Sequence, residues 1–321
     1  MSDPGVPRVT RREALLRLSS TAAAAAAVGV GAAVFHDRRT ATAGAATVPD
    51  WRVPSAAGVP AAAARGGDPA GNVRRAVAAL GGMERFVRPG KTVLIKPNIG
   101  WDRLPEQAAD TDPAVVAELV RLCRAAGARR VVVTDVSCND PRRCFARSGI
   151  AAAAGAAGAD VLEGRALRMV PAGLPGLSAG LEVAEEVLRA DRVINVPVVK
   201  HHSLSRATLG MKNWLGVLGR GRNRLHQDID RAVAELGATF RPSLTVVDAT
   251  RVLAANGPVG GSLGDVRAVG AVLAGTDAVL ADAWGAAILG LNPSTLGFIA
   301  EAERRGLGRS DLALVKELGT A

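Results

Sequence analysis

The sequence predicts a three-layer α/β fold, a mainly parallel sheet with helices on both faces, and three observations carry that prediction. Short runs rich in Val, Ile and Leu alternate with amphipathic stretches of helical period over most of the chain, the pattern of repeated β-α-β units. Several of these runs stop abruptly at polar or ionisable residues, as parallel strands do where a sheet opens onto a ligand cleft. The composition is 48% hydrophobic with five Phe, four Trp and no Tyr, so Val, Leu, Ala and Ile must build the interior of a chain long enough for one large or two modest domains.

The chain begins with a segment of another kind. Arg11 and Arg12 precede a weakly apolar, Ala-rich run from Thr21 to Phe35, and Ala41-Thr42-Ala43 offers a cleavage site. That layout reads as a twin-arginine export signal over residues 1–45. The alternative is an uncleaved anchor, but the run falls short of the roughly 20 strongly apolar residues that span a bilayer. The mature protein is therefore expected to start between residues 40 and 50, outside the cytoplasmic membrane, with no stable span and with the export machinery as a transient partner. Residues 46–72, rich in Ala, Pro and Gly, read as a flexible linker, which leaves 73–321 for the α/β domain.

The elements of that domain follow in order. Strands are expected at Thr92 to Ile95, Arg130 to Thr134 and Asp160 to Leu162, separated by helices at Pro113 to Ala126 and Arg142 to Ala156. The second half supplies strands at Val193 to Val199, Leu244 to Val247 and Ala268 to Ala274, with helices near Thr208 to Leu218, Ile229 to Leu236, Asp277 to Leu289 and Pro293 to Arg305. A division into two lobes around a cleft is compatible with the irregular stretch 165–190. Four strand ends deliver chemistry: Lys96 and Asn98, Asp135, Lys200-His201-His202, and Asp248. Any one of these is a common turn or cap residue; four on one edge of a parallel sheet define a candidate cleft.

Charge and cysteine usage narrow the function. The net charge is +10, of which the first 39 residues contribute +3. The arginines are scattered, aromatic stacking residues are few and no nucleic-acid motif is present, so nucleic acid is not an expected partner. The three cysteines contain no CxxC pair, which excludes a self-encoded iron-sulfur cluster or zinc knuckle. Cys138 and Cys144 flank a short loop and are expected to pair in an oxidising compartment. Pro89-Gly90-Lys91-Thr92 imitates the end of a phosphate-binding loop, but Arg85 stands where the first glycine is needed.

Lys96, Asn98, Lys212 and Asn213 are candidate ligand-binding residues, together with Arg222 and Arg224 as anion forks and Gly257 and Gly260 in a tight turn. Lys200, His202 and Asp248 are the candidate catalytic set, because a cation beside a proton carrier suits an anionic substrate. His202 and His226 with Asp282 form a candidate metal set, although nearby lysines oppose a cation and no ligand spacing fixes one. Asp277 reads as a helix cap.

Taken together, KPNIG at Lys96 to Gly100, TDPAVVAELV at Thr111 to Val120, INVPVVKHHSLSRATLGMKNWLG at Ile194 to Gly216, His226, VVDAT at Val246 to Thr250, NGPVGG at Asn256 to Gly261 and AGTDAVLADAWGAAILG at Ala274 to Gly290 resemble the "domain of unknown function 362" family over roughly residues 90–310. The resemblance places His202 at the histidine of a K-x-H element and Lys212-Asn213 at a KN element. Some relatives carry a ferredoxin-like segment that this chain lacks. The resemblance implies a fold and a site more than a reaction. Two functions therefore stand: an enzyme acting on a small anionic metabolite through a Lys/His/Asp cleft, or a non-catalytic binding protein for a metal or an anionic cofactor.

Overall fold

Alternation within single strands decides what each face of the sheet buries. The computed structural model describes residues 45–53 and 58–319; the export signal expected over 1–45 lies outside the described residues, Ala45 apart. Thirteen strands are found among the described residues: β1 Ala46–Thr47, β2 Ala61–Arg65, β3 Thr92–Pro97, β4 Arg130–Thr134, β5 Asp160–Leu162, β6 Met169–Gly173, β7 Glu182–Ala184, β8 Arg192–Val196, β9 Val198–His202, β10 Arg206–Thr208, β11 Leu244–Leu253, β12 Val266–Gly275 and β13 Val315–Leu318. The main sheet runs β13-β2-β12-β11-β8-β3-β4-β5, with β9 joined to β11 and β10 joined to β9. From β11 across to β5 the pairings are parallel.

In β3 and β4, Val93, Ile95, Val131 and Val133 face one layer, where helices α1 (Pro69–Ala79) and α2 (Pro113–Ala125) pack. The intervening Leu94 and Val132 face the other layer, against Trp51, Val183 and Phe240. This is the period of two expected of a pleated strand buried on both sides. Further along the second face, Val247 and Leu273 bury the apolar sides of α7 (Ile229–Thr239), α8 (Ala278–Ile288) and α9 (Gly297–Arg304). Local caps fix where helices start. Asp68, Asp112 and Asp277 each accept backbone N–H bonds at the head of α1, α2 and α8, and Pro69 and Pro113 occupy first-turn positions where no N–H is missed.

The structure corrects several expectations. The linker read over 46–72 is largely folded: Trp51 is buried, with its indole N–H donating to Ala190 O, and Ala61 to Ala64 form a wholly buried strand between β12 and β13. Alanine carries little strand propensity, but its small side chain admits helices close to both faces of the sheet. The stretch 165–190 does not divide two lobes. It supplies β6, β7 and a short helix, Glu185–Arg189, and β6 and β7 form with β1 a small sheet that covers the second face; Ala46 to Ala321 make one compact unit. The helix expected over 142–156 breaks at Gly149, which has φ of 73°, a conformation glycine adopts freely. Strand β12 runs antiparallel to β11.

Cys138 and Cys144 are both free. Cys144 lies on the buried side of the helix Pro141–Arg147 with its thiol toward Gly100 O, whereas exposed Cys138 lies beside the Arg222 guanidinium, so the disulfide is not formed. Among the described residues no helix is long and apolar enough to cross a membrane.

Candidate functional site

The expected strand Val193 to Val199 is interrupted at Pro197, which has no N–H to give to a ladder but accepts Asp248 N–H through its carbonyl. Beyond it the chain continues as β9 and folds back on β10 as an antiparallel hairpin. Lys200 and His202, two residues apart, therefore share one side of β9, and both line a cavity of about 530 Å3. Its wall also takes Lys96 and Asn98 from the end of β3, Asp135 from the end of β4, and Lys212 and Asn213 from α6 (Gly210–Asn213), with Arg220, Arg222, His226 and Pro258. A volume of that order suits a small molecule.

One side of the wall is a closed polar network. The Lys96 ammonium, wholly buried, forms an ion pair with Asp135 Oδ1 at 2.8 Å and donates to Pro97 O at 2.7 Å and Asn213 Oδ1 at 3.0 Å. Burial pushes its pKa down and Asp135 pulls it back up. Asn213 Oδ1 also accepts from Asn98 Nδ2, while its own amide donates to Asn195 Oδ1. Gly216 is what allows this approach, since a Cβ there would lie 1.9 Å from Asp135 Oδ1 and 2.6 Å from Lys96 Nζ. Asp282, wholly buried, accepts from Gly210 N at 2.6 Å and Met211 N at 3.1 Å, and so anchors the short helix that carries Lys212. Burial raises the Asp282 carboxyl to about 7 in spite of those two bonds.

The other groups face the cavity. Lys200 donates to Asn98 Oδ1 at 3.0 Å and to Ala109 O. Burial lowers its pKa against the pull of Asp110, a buried carboxyl whose own pKa is raised by burial. Lys212 is 6% exposed, lines the cavity and finds no acceptor among the described residues. Burial first, and Lys200 second, push it down to about 8.

The histidines are fixed as distinct tautomers. His202 Nδ1 accepts the backbone N–H of Leu204 at 3.1 Å and of Ser205 at 3.4 Å, which leaves the ring hydrogen on Nε2. Burial and the two lysines push its pKa down to about 3, so the ring is a neutral donor. His226 has the opposite arrangement: Nδ1 lies 3.3 Å from Asn223 O, and since a carbonyl only accepts, the hydrogen is on Nδ1 and Nε2 keeps its lone pair. His201, on the reverse side of β9, accepts Gly257 N–H at 3.1 Å.

Several expected site residues have other work. Asp248 does not line the cavity; its carboxylate accepts from Asp112 N, Thr250 N and Thr250 Oγ1 at 2.7 to 2.9 Å, bracing the chain, with its pKa raised to about 6 by burial and by Asp112. Arg222 lines the cavity, but its guanidinium donates to the carbonyls of Val136, Ser137 and Leu215, so it clamps a loop and lends charge in place of forking an anion. Arg224 reaches Ala179 O outside the cavity wall. Gly257 and Gly260 stand behind Pro258, packed on His201 and Leu253; a Cβ on Gly257 would lie 2.0 Å from His201 O. The metal set does not assemble. Asp282 spends both oxygens on α6, His202 spends its lone pair on backbone, and among the described residues no three His, Cys, Asp or Glu side chains form a ligand group.

Asp110 and Asn195, which partner the cavity residues from behind, are not singled out by the sequence: Asp110 directly precedes the TDPAVV run, and Asn195 is enclosed by the apolar run that ends at Lys200. One available signal was lysine scarcity. The chain has five lysines against 35 arginines, and Lys96, Lys200 and Lys212 meet at this one site. Exposed Lys91 pairs with Asp191, and Lys316 sits exposed on β13.

Fold and site together define an α/β protein with a half-open cavity lined by three buried lysines where strand ends converge. Residues 93–287 match the family described as Domain of unknown function (DUF362), and the chain belongs to that family. Every cavity residue lies within the matched span. A thylakoid-associated protein of Synechocystis sp. is 30% identical over 244 residues, 74% of either chain. A crystal structure of a protein from Thermotoga maritima is similar at 11% identity with a TM-score of 0.36, over 74% of this chain and 60% of that one.

Proposed function

We propose that this protein is an enzyme acting on a small anionic metabolite held in the lysine-lined cavity. Lys212 carries the reading: a cation 6% exposed, without a protein acceptor among the described residues and lining a half-open cavity, is the complement of an absent anion, since a buried charge is otherwise costly. Lys200 and Arg220 add positive potential beside it, and the His202 Nε2–H gives a neutral donor that cannot lose its hydrogen-bonding role to protonation. The proton-accepting part moves from His202 and Asp248 to His226, whose Nε2 lone pair is uncommitted. Cationic donors fixed beforehand around a reacting anion lower the cost of charge that develops there.

The test is calorimetric titration of small carboxylates and phosphates into the wild type and Lys212→Met, followed by turnover assays on those that bind. Millimolar or tighter binding that is lost in the variant supports the site. Binding without turnover favours a non-catalytic anion carrier, and no binding of either class defeats the reading. The expected export signal belongs to the same proposal. Cleavage after Ala43 leaves β1 and buried Trp51 in the mature chain. Replacing Arg11 and Arg12 with Lys should retain the protein in the cytoplasm, and undiminished export would remove this part of the proposal.

A further inference from the structure

We propose that Lys212 is a nucleophile that captures the carbonyl carbon of a small oxo-carboxylate as an imine, while Lys200 and Arg220 hold the carboxylate. The inference rests on the anion-site reading above and goes a step past it. If the cavity needed only positive charge, arginine would serve better: its planar fork binds carboxylate in two places and keeps its proton at all working pH. This chain uses arginine for seven of every eight basic positions yet keeps lysine here, and what lysine alone offers is an amine that can shed its proton and attack carbon.

The three buried lysines are not equivalent in this respect. Lys96 is occupied by Asp135, Pro97 O and Asn213, and Lys200 by Asn98 and Ala109. Lys212 alone of the three has no acceptor among the described residues and lines the cavity, 6% exposed. Its pKa of about 8 leaves roughly a tenth of it as free amine at pH 7, on the order of 200 times the fraction for an ordinary lysine.

The step balances without a further reagent. The Lys212 ammonium passes one proton to His226 Nε2; the amine lone pair forms the N–C bond as the C=O π pair moves to oxygen, which takes a proton. The proton taken by oxygen is the one His226 held; the now cationic nitrogen next gives a proton through His226 to the hydroxyl, and the pair so freed forms the C=N bond as the C–O bond breaks with oxygen leaving as water. Ammonium and carbonyl thus become a protonated imine and one water, with His226 restored. The His202 Nε2–H is the donor available to the carbonyl oxygen as it gains charge.

The experiment uses the full chain with glyoxylate and sodium cyanoborohydride at pH 7, which reduces an imine to a stable carboxymethyl amine. Peptide mapping then distributes the label over the five lysines and the terminal amine. Lys212 should be modified at least about tenfold faster than exposed Lys91 and Lys316, given its larger free-amine fraction, and excess glycolate, which lacks the carbonyl, should protect it. Lys212→Arg should still bind glycolate and lose the label at that peptide; should that variant not fold, mapping and protection in the wild type decide the matter. Label on Lys91 and Lys316 but not on Lys212, with glycolate still bound, would overturn the imine while leaving the anion site standing. Neither label on Lys212 nor glycolate binding would overturn both.

Discussion

Replacing Lys212 with methionine should make the folded protein more stable while abolishing its affinity for anions. The side chain is 6% exposed and unpaired among the described residues, and its pKa stands at about 8 against about 10.4 in an unfolded chain. That difference corresponds to about 3 kcal/mol of folding free energy at pH 7. Methionine has similar length, carries no charge and adapts to irregular space. Allowing for imperfect packing, a gain of about 1 to 3 kcal/mol is expected, or a rise in Tm of roughly 3 to 10 °C. The sign of the pH dependence follows from linkage. Between pH 8 and about 10.4 the unfolded chain holds a proton on Lys212 that the native state has lost, so the wild type gains stability as pH rises through that window. The cost of Lys212 is present in full below about pH 8, and the advantage of the variant should shrink toward zero as pH passes 10. Urea unfolding of both proteins at pH 7 and at pH 10.5 makes the comparison. A variant less stable than the wild type at pH 7, or a gain that does not change between the two pH values, would refute the claim that Lys212 is an uncompensated buried cation. Stability given up at a site that needs a charge is the usual pattern of functional positions.

The Lys96 and Asp135 pair should behave in the opposite way. Asp135→Ala leaves the Lys96 ammonium wholly buried without its carboxylate and should cost about 3 to 5 kcal/mol in urea unfolding at pH 7; the double variant Lys96→Met, Asp135→Leu should recover most of that loss, and strictly additive losses would contradict a coupled pair. Gly216→Ala places a Cβ 1.9 Å from Asp135 Oδ1, so it should cost about 2 kcal/mol or more and weaken anion binding at least about tenfold, read by calorimetry. An alanine variant with wild-type binding would show that the wall can shift without consequence.

How much of this was legible beforehand can be seen residue by residue. Unbroken apolar, mostly branched runs in Thr92 to Ile95 and Arg130 to Thr134 announce strands buried on both faces, because run length and branching are properties of a few consecutive residues. The polar residues that end those strands are equally local, so Lys96, Asn98, Asp135, Lys200 and His202 could be placed at one edge from the chain alone, and all five line the cavity. Ala61 to Ala64 carried no such signal. A run of alanine is poor in strand character until two neighbouring strands and two helix layers close on it.

Tertiary structure also divided residues that looked alike. Asp248 ends its expected strand as Asp135 does, yet it turns to Asp112 and Thr250, since the pairing of β11 with β9 decides where its carboxylate points. His202 and His226 are both histidines of a basic segment, and only the carbonyl or amide groups that the fold brings to each ring set one as a donor and the other as an acceptor. Lys212 differs from Lys96 by what surrounds it. A sequence states which side chain is present, but whether a buried charge meets a partner depends on residues far along the chain, for Lys96 the carboxylate of Asp135 at the end of the next strand and the amide of Asn213, 117 positions away, and packing alone brings those together.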